Sequence, residues 1–201
     1  MNKQENIYRN IHQDIIDRCK SGEQKAQFQL YKLYYKAMYN TCLRIVNDSL
    51  EAEDIMQESF LKAFEKIQTY KGEVSFGAWL KRIVINHSLD ELRKRKFDME
   101  LMEDSFFELK EKKDGKEIFK EEELKIKAEE IKDEINKLPD GYRIVLSLYL
   151  IEGYDHDEIS EILNISSSTS RSQCARAKQK LLKNYKKKQK PTKYERSGKN
   201  N

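Results

Sequence analysis

Residues 155–182 read DHDEISEILNISSSTSRSQCARAKQKLL, and this stretch decides the fold of the C-terminal part of the chain. Asp155, followed three residues later by Glu158, is typical of a capping box at a helix N-terminus. Asn164 tolerates the left-handed conformation in which a helix ends, and the serines after it can cap a second helix. Two short helices joined by a tight corner predict a helix-turn-helix.

The second of these helices has two different faces. Ser170, Cys174, Ala177 and Leu181 recur at helical spacing and predict an inner face of small side chains. The outer face carries Ser168, Arg171, Ser172, Gln173, Ala175, Arg176, Lys178 and Gln179. Arginine and glutamine can read base edges in the major groove, and lysine can neutralise phosphate. An ordinary helical hairpin with a basic surface is the alternative, but the corner, the caps and the charge together favour DNA binding.

The rest of the chain also predicts helices. Only 7 Gly and 2 Pro occur in 201 residues, which is too little turn chemistry for a sheet-rich protein. Turns are expected at 71–73 and 139–141. The clearest helix outside the C-terminal motif covers 52–67, where small and apolar side chains recur with helical periodicity. They are Ala52, Ile55, Met56, Ser59, Phe60, Ala63, Phe64 and Ile67. We therefore expect an all-α fold.

Charge is segregated along the chain, although the net charge is only +4. Residues 71–96 hold seven Lys or Arg against three Asp or Glu, and residues 165–201 hold twelve against one. Between them, residues 97–134 hold fifteen acidic side chains against eight basic ones. Two separated basic blocks favour two contacts with one polyanion. The alternative is a solvated helical surface followed by a disordered basic tail.

Several classes of protein are excluded by what the sequence lacks. No stretch approaches the roughly 20 apolar residues of a membrane span, and no secretory signal opens the chain. Three widely spaced cysteines, with no Cys-x-x-Cys pair, fit a reducing cytoplasm. The three histidines are scattered, and no motif of a metalloprotease, hydrolase or nucleotide-binding loop occurs. We expect no catalytic residue, no metal, no cofactor and no small-molecule substrate.

Residues 70–96 interleave aromatic and cationic side chains, which suits unstacked bases and a single-stranded backbone. Tyr70 lies at a turn and is the candidate platform for a base, whereas Trp79 is expected in the core. Asn86, Asp90 and Arg93 recur at i, i+4 and i+7, so they share one helix face. The acidic start of the 52–67 helix, judged by charge alone, is explained by the helix dipole.

Five strings together carry a resemblance to a known family. In chain order they are YKLYYKAMYN (31–40), AEDIMQESFLKAF (52–64), YKGEVSFGAWLKRIVINHSLDELRKRK (70–96), LPDGYRIVLSLYLIEGYDHDEISEILNIS (138–166) and TSRSQCARAKQKLL (169–182). In combination, order and spacing, the chain resembles an alternative sigma factor of bacterial RNA polymerase, of the extracytoplasmic-function (ECF) subfamily of the sigma-70 family. The resemblance covers about residues 20–96 and 130–185.

The resemblance implies two small helical domains joined by a flexible acidic linker. The expected division is an N-terminal helical extension (1–27), a region 2 domain (28–96), the linker (97–129), a region 4 domain with the helix-turn-helix (130–185) and a disordered basic tail (186–201). In the family, region 2 binds the polymerase clamp and recognises and melts the minus-ten promoter element. Region 4 reads the minus-thirty-five element.

Site residues carried over from the family fall into three groups. The resemblance implies polymerase contacts at Asp54, Gln57 and Glu58, and thereby overturns the dipole explanation of that acidic face. It implies minus-ten contacts at Tyr70, Lys81, Asn86, Asp90, Arg93 and Lys94, continuing into Arg95 and Lys96. It implies minus-thirty-five contacts at Ser167, Ser168, Arg171, Ser172, Gln173, Arg176 and Lys178. Polar Ser168 and Ser170, and Lys81 in place of an aromatic residue, depart from the family pattern, so base preference is not transferred.

The implied partners are core RNA polymerase, promoter DNA and an anti-sigma factor, often one anchored in the membrane. The implied location is the cytoplasm, near the nucleoid or held at the inner membrane by the anti-sigma factor. The competing hypothesis is a stand-alone helix-turn-helix regulator that acts as a dimer, with residues 1–96 as a dimerisation or sensing domain. Such a regulator would bind duplex DNA tightly without polymerase, whereas a sigma factor would bind promoter DNA weakly alone and would need the core enzyme.

Overall fold

The computed structural model describes residues 11–102 and 128–189, and every regular element in these two ranges is a helix. The expected all-α fold is therefore confirmed. The α-helices are α1 (Gln13–Lys20), α2 (Gln24–Val46), α3 (Ser49–Glu65), α4 (Phe76–Met102), α5 (Ala128–Asn136), α6 (Asp140–Leu150), α7 (His156–Leu163) and α8 (Ser167–Gln189), and a short 3-10 helix covers Ile67–Thr69.

The first unit consists of α1 to α4. Helices α2, α3 and α4 pack against one another, and α1 lies against α2. The periodicity over 52–67 correctly predicts the inner face of α3, because its members from Ala52 to Ala63 are buried and Phe64 is half-buried. Ile67 is also buried, although it belongs to the 3-10 helix that follows α3.

A two-residue corner sets the angle between α2 and α3. Asn47 ends α2 with a φ of 59°, in the left-handed region that Asn tolerates. The Asp48 carboxylate then caps α3, accepting hydrogen bonds from the backbone N–H groups of Leu50 and Glu51, both at 2.9 Å. This corner turns the chain so that α3 packs back onto α2.

The second unit contains the predicted helix-turn-helix in α7 and α8. Asp155 and Glu158 form a complete capping box, and Asn164 ends α7 with a φ of 55°. The Ser166 hydroxyl accepts a hydrogen bond from the Thr169 N–H at 3.0 Å and thus caps α8. The inner face of α8 is as predicted, because Ser170, Cys174 and Ala177 are buried and Leu181 is partly buried.

The structure differs from the expectations at several boundaries. The predicted turn at 139–141 is wrong in part, because only Pro139 precedes α6, and Asp140 and Gly141 form the first turn of that helix. A proline with φ near −52° is suited to a helix start, and the Pro139 carbonyl accepts from the Arg143 N–H at 2.9 Å. The expected turn at 71–73 is present, with Gly72 at φ +78°.

Two helices extend into the segments predicted to be the linker (97–129) and the tail (186–201). Helix α4 continues to Met102 and α8 to Gln189. Residues 1–10, 103–127 and 190–201 lie outside the described residues, so a flexible linker over 103–127 and a disordered tail over 190–201 stay predictions, whereas residues 97–102, 128–129 and 186–189 are helical. The two units touch, because α6 packs against α2 and buried apolar side chains of both units belong to one cluster.

Candidate functional site

The outer face of α3 presents the predicted acidic stripe. Asp54, Gln57 and Glu58 are exposed, while the opposite face of the helix is buried in the core. Gln57 donates a hydrogen bond from Nε2 to Glu53 Oε1 at 3.3 Å, which holds its side chain along the helix. The stripe is therefore a solvent-facing surface with an excess of negative charge.

A large apolar side chain lies on the same stripe and was not among the predicted site residues. Leu61 is 64% exposed, and its spacing of i+7 from Asp54 and i+4 from Gln57 places it on their face. A leucine on the polar face of an amphipathic helix was the available signal. Exposed apolar side chains surrounded by polar groups are typical of protein–protein contacts.

A buried histidine links the acidic stripe to α4. His87 has Nδ1 at 3.0 Å from Ser59 Oγ and Nε2 at 2.6 Å from Lys62 Nζ. Because the Lys62 ammonium can only donate, Nε2 accepts and Nδ1 carries the proton. Burial, and then the positive charge of Lys62, lower the pKa of His87, although Glu58 and Glu91 oppose this. The imidazole is thus kept neutral behind the stripe.

The exposed face of α4 carries the predicted polar triplet. Asn86, Asp90 and Arg93 are all exposed, and Arg93 Nη1 lies 3.2 Å from Asp90 Oδ1. Lys94 pairs with Glu91, with 2.6 Å between Nζ and Oε1. This surface combines an amide that can read a base edge with cations that can approach phosphates.

The cations at the C-terminal end of α4 do not all lie on the face of Arg93, although the resemblance implies that they continue it. Arg95 turns towards α3, where its Nη1 lies 2.6 Å from Glu51 Oε2. It links the two helices and does not extend the face of Arg93. The side chain of Lys96 lies outside the described residues.

The prediction of Tyr70 as a base platform is wrong for this conformation. The side chain is only 2% exposed, and its hydroxyl donates to the Val74 carbonyl at 2.7 Å. The ring contacts Phe76 and Trp79, with centroids 5.5 and 5.3 Å away. The 3-10 helix and the turn at Gly72 direct this ring into the core, so it offers no face to a base. Trp79 is half-buried against the core, as expected.

Lys81 does not lie on the exposed face of α4. Its Nζ is 2.8 Å from Glu152 Oε2, just beyond the C-terminal end of α6, and its side chain is 28% exposed. The structure thus brings together Asn86, Asp90, Arg93 and Lys94, but it places Tyr70 in the core and Lys81 at the junction of the two units.

The N-terminal half of α8 presents most of the predicted minus-thirty-five residues. Ser168, Arg171 and Ser172 are exposed, and Gln173 is half-buried. The Ser172 hydroxyl donates to the Thr169 carbonyl at 3.0 Å, so it lies close to the backbone. Ser167 Oγ is buried and has no hydrogen-bond partner among the described residues. The outward surface begins with small side chains, and the Arg171 guanidinium has no ion-pair or hydrogen-bond partner within the part of the chain that the structure describes.

Two further predicted contact residues, Lys178 and Arg176, lie on opposite edges of α8. Lys178 Nζ is 4.8 Å from the ring centroid of Tyr149, which stacks on His156 at 4.6 Å. His156 Nδ1 is in turn 2.9 Å from Ser170 Oγ, so this edge holds α6, α7 and α8 together.

The other edge lines an open cavity of about 420 Å³. Its lining is polar and cationic and consists of Tyr142, Arg176, Gln179, Lys180, Lys183 and Asn184. Lysine and arginine in a concave surface favour an anionic partner such as a phosphate backbone.

Among the described residues, no group of three His, Cys, Asp or Glu side chains is arranged to hold a metal ion. No helix in the same ranges is long and apolar enough to cross a membrane. The fold and the surfaces define a helix-turn-helix DNA-binding protein that carries a second helical unit with separate acidic and basic faces.

Comparisons with known proteins identify the family. Residues 30–97 match the model of Sigma-70 region 2, and residues 128–181 match the model of Sigma-70, region 4. The ECF RNA polymerase sigma factor SigW of Bacillus subtilis is 31% identical over 175 residues, covering 84% of this chain and 93% of that protein. The RNA polymerase sigma-H factor of Pseudomonas aeruginosa is 27% identical over 178 residues, covering 84% and 91%.

The chain therefore belongs to the ECF sigma factors of bacterial RNA polymerase. Proteins of this family bind core RNA polymerase and direct transcription initiation at specific promoters, and this is the function of the chain. The alternative of a stand-alone regulator is not favoured.

Solved structures share the fold. The sigma factor RpoE of Bartonella quintana, in complex with the anti-sigma factor NepR, aligns with a TM-score of 0.55 at 22% identity, over 79% of this chain and 95% of that one. CnrH, in complex with the cytosolic domain of CnrY, aligns with a TM-score of 0.52 at 22% identity, over 86% and 96%.

Proposed function

We propose that three surfaces divide the work of this sigma factor. The stripe on α3 binds the core polymerase, the exposed face of α4 binds the minus-ten element, and the N-terminal half of α8 binds the minus-thirty-five element. The support for this division is that acidic and basic side chains lie on different helix faces. Each surface therefore suits a different partner.

The stripe on α3 is suited to a basic protein partner. Asp54, Gln57 and Glu58 provide charge and hydrogen-bonding groups, and Leu61 provides an exposed apolar anchor in the same row. Protein interfaces combine buried apolar anchors with complementary charge at the edge. DNA would be repelled by this surface, because its net charge is negative.

The α4 face is suited to bases that have left the helix. Asn86 can hydrogen-bond the edge of an adenine, and Asp90 can accept from an exocyclic amino group. Arg93 and Lys94 lie next to them and can contact phosphates. Since Tyr70 is buried, we assign recognition on this face to edge contacts rather than to stacking on that ring.

The α8 surface is suited to duplex DNA. Ser168 and Ser172 are short enough for the helix to enter the major groove, and Arg171 extends from it. Arg176 and Lys178 lie on the two edges of the helix and can contact the two phosphate backbones that border the groove. Gln173 and Ser167 are less exposed than Arg171, so we assign them a smaller part in the contact.

An anti-sigma factor is the expected regulator. The two solved sigma factors named above were crystallised with such proteins, NepR and CnrY. We extend this type of partner to the present chain, together with a cytoplasmic location and retention at the membrane through that partner. We also propose that the protein acts only by binding its partners, without catalytic residues, a metal or a cofactor.

Co-elution with sigma-free core RNA polymerase on gel filtration tests the assignment of α3. The wild-type protein should co-elute, and the Asp54→Arg/Glu58→Arg variant should not, because both changes place a cation opposite a basic partner. Glu73→Arg/Asp133→Arg makes the same change in charge at exposed positions outside α3 and should co-elute normally. Equal loss in both variants would contradict a specific role of the stripe.

Leu61 provides a finer test. Leu61→Ala should weaken polymerase affinity by about fivefold to tenfold, equivalent to about 1 kcal/mol, because an interface anchor is removed. The unfolding free energy should hardly change, since the side chain is exposed. Leu33→Ala on α2, where the leucine is 49% exposed, is the matched control and should bind polymerase like the wild type. Similar losses in the two variants would argue against Leu61 as an anchor.

A further inference from the structure

A buried carboxylate joins the second helical unit to the first. Glu152 follows α6, and its side chain is only 4% exposed. Its Oε2 lies 2.8 Å from Lys81 Nζ on α4. Its Oε1 accepts from the Arg44 guanidinium and, at 3.1 Å, from the Thr41 hydroxyl, both on α2. One carboxylate thus binds three donors from two helices of the other unit.

A buried arginine makes a second connection in the same interface. Arg143 on α6 donates from Nε to the Arg44 carbonyl at 3.1 Å and from Nη2 to the Ile45 carbonyl at 2.8 Å. These carbonyls belong to the last turn of α2, where backbone oxygens have no partner within the helix. Asp140 fixes the guanidinium, with 2.6 Å between Oδ1 and Nη1. Arg143 therefore caps a helix of the other unit.

The charges in this interface are complementary. Burial alone would raise the pKa of Glu152, but hydrogen bonds from Lys81 and Arg44 outweigh it, and the pKa lies below its usual value. The carboxylate is accordingly ionised at neutral pH. Removing one member of a buried, paired cluster leaves a buried charge without its partner, which is strongly destabilising for the contact.

The interface also occupies a residue assigned to DNA. Lys81 is carried over from the family as a minus-ten contact, but here its ammonium is bound to Glu152. A lysine bound to a buried carboxylate cannot at the same time neutralise a phosphate. Closure of the two units and use of Lys81 by DNA therefore exclude each other, and by linkage each weakens the other.

We infer that Glu152 and Arg143 form an interdomain latch that holds the free protein closed and withholds Lys81 from DNA until the two units separate. The part of this inference that concerns DNA rests on the proposed function of α4. A competing anion can open the latch, because a phosphate can replace Glu152 as the partner of Lys81.

The test uses the full-length protein and the variant Glu152→Gln, which keeps the size of the side chain but removes its charge. Glu161→Gln, at an exposed position on α7, is the matched control. Small-angle X-ray scattering should show a larger radius of gyration for Glu152→Gln than for the control. Amide hydrogen exchange in the last turn of α2 should be at least tenfold faster, because the cap provided by Arg143 is lost when the units separate.

DNA binding is measured in parallel with a fluorescein-labelled single-stranded oligonucleotide of mixed sequence. Glu152→Gln should bind it about fivefold more tightly than the control, because a larger fraction of molecules presents Lys81. Adding Lys81→Ala should remove this gain. An unchanged radius and unchanged exchange would overturn the latch. Opening without any gain in DNA binding would overturn the withholding of Lys81.

Arg143→Lys gives an independent test, since it keeps the charge but cannot form the forked pair of hydrogen bonds. It should open the protein as Glu152→Gln does, with an unchanged circular dichroism spectrum. A closed Arg143→Lys variant would contradict the cap. The outcome is separable from that of the proposed function. If the wild-type protein fails to co-elute with core polymerase, the surface assignments fail, whereas the scattering and exchange data still decide whether the latch exists.

Discussion

The two basic helices, α4 and α8, differ in what their cations do in the free protein. On α4, Lys81, Arg93 and Lys94 each pair with a carboxylate of the chain itself. On α8, Arg171 and Lys183 have no carboxylate within ion-pair distance among the described residues. Arg171 and Lys183 are therefore available to a phosphate backbone, whereas Lys81, Arg93 and Lys94 would each have to exchange an internal partner for DNA.

The pairs on α4 are not equivalent. Arg93–Asp90 and Lys94–Glu91 are exposed, and exposed pairs contribute at most about 1 kcal/mol and are screened by salt. The pair of Lys81 with Glu152 is different, because the carboxylate is almost fully buried. The contrast between the helices thus depends mainly on one residue, Lys81, and on the separation of the two units.

The largest expected effect compares two arginines in the free protein. Arg171→Ala should weaken binding to a duplex promoter fragment by about tenfold to a hundredfold, because a contact to a base edge contributes about 1–3 kcal/mol. Arg93→Ala should change the same affinity by less than about twofold, because α4 is not yet engaged. Fluorescence anisotropy at fixed salt measures both. The fragment is one from which the holoenzyme initiates transcription.

In the holoenzyme, the loss of activity caused by Arg93→Ala should become comparable with that caused by Arg171→Ala. Arg93→Ala should then reduce open-complex formation, because the α4 face contacts the melted strand. Equal effects of the two substitutions in the free protein would contradict the distinction between the unpaired Arg171 on α8 and the paired cations on α4.

A smaller effect is expected at the base-reading amide of α4. Asn86→Ala should lower permanganate reactivity at the start site by about fivefold, since one or two hydrogen bonds to an extruded base are lost. Initial binding of the holoenzyme to the duplex should be unchanged. Gln29→Ala, an exposed amide on α2, is the control. Normal permanganate reactivity in Asn86→Ala would remove this residue from the site.

Salt dependence separates phosphate contacts from base contacts on α8. Lys183 lines the cationic cavity beside Arg176, so we expect it to contact a phosphate. Lys183→Ala should then reduce the slope of log affinity against log salt by about 1 and weaken binding to all duplex sequences alike. Arg171→Ala should instead change the preference among sequences. Affinity titrations over a series of salt concentrations, on two unrelated duplexes, distinguish the two results. A sequence-dependent loss in Lys183→Ala would place that lysine in the groove.

The smallest effect concerns pH and the first unit. Burial, followed by Lys62, lowers the pKa of His87 below its ordinary 6.5. The unfolded chain therefore takes up the proton first as pH falls, so the free energy of unfolding should decrease below about pH 6.5 and level off once folded His87 is also protonated. Urea unfolding at several pH values measures this.

Two histidine variants complete that experiment. His87→Gln should flatten the pH dependence of unfolding, whereas His156→Gln, at the stacked histidine of the second unit, should leave it largely in place. A curve that keeps its full slope in His87→Gln would show that another group is responsible.

Local rules predicted the second unit well. The capping box at Asp155 and Glu158, the end of α7 at Asn164 and the inner face of α8 all follow from neighbours within four residues. Such features depend on side chains and backbone groups close in sequence, so the sequence contains them directly. The outward residues of α8 follow from the same helical geometry.

Long-range packing explains what the sequence did not predict. The position of Tyr70 at a turn predicts an exposed ring. The ring is buried because the turn brings it against Phe76 and Trp79, which the sequence pattern near Tyr70 does not indicate. The pairing of Lys81 with Glu152 joins two units across the linker, and no spacing rule connects them. Pro139 lies between α5 and α6, within the turn predicted at 139–141, but its role as the start of α6 depends on the residues after it.

The most direct test of the central claim, that α8 and α4 contact two different promoter elements within one holoenzyme, is site-specific photocrosslinking. A benzophenone amino acid replaces Ser172 on α8 or Asp90 on α4, both exposed. With core polymerase and promoter DNA, we predict crosslinks from 172 to the minus-thirty-five duplex and from 90 to the non-template strand of the minus-ten element. Crosslinks from both positions to the same duplex half-site, formed equally well without polymerase, would contradict the account.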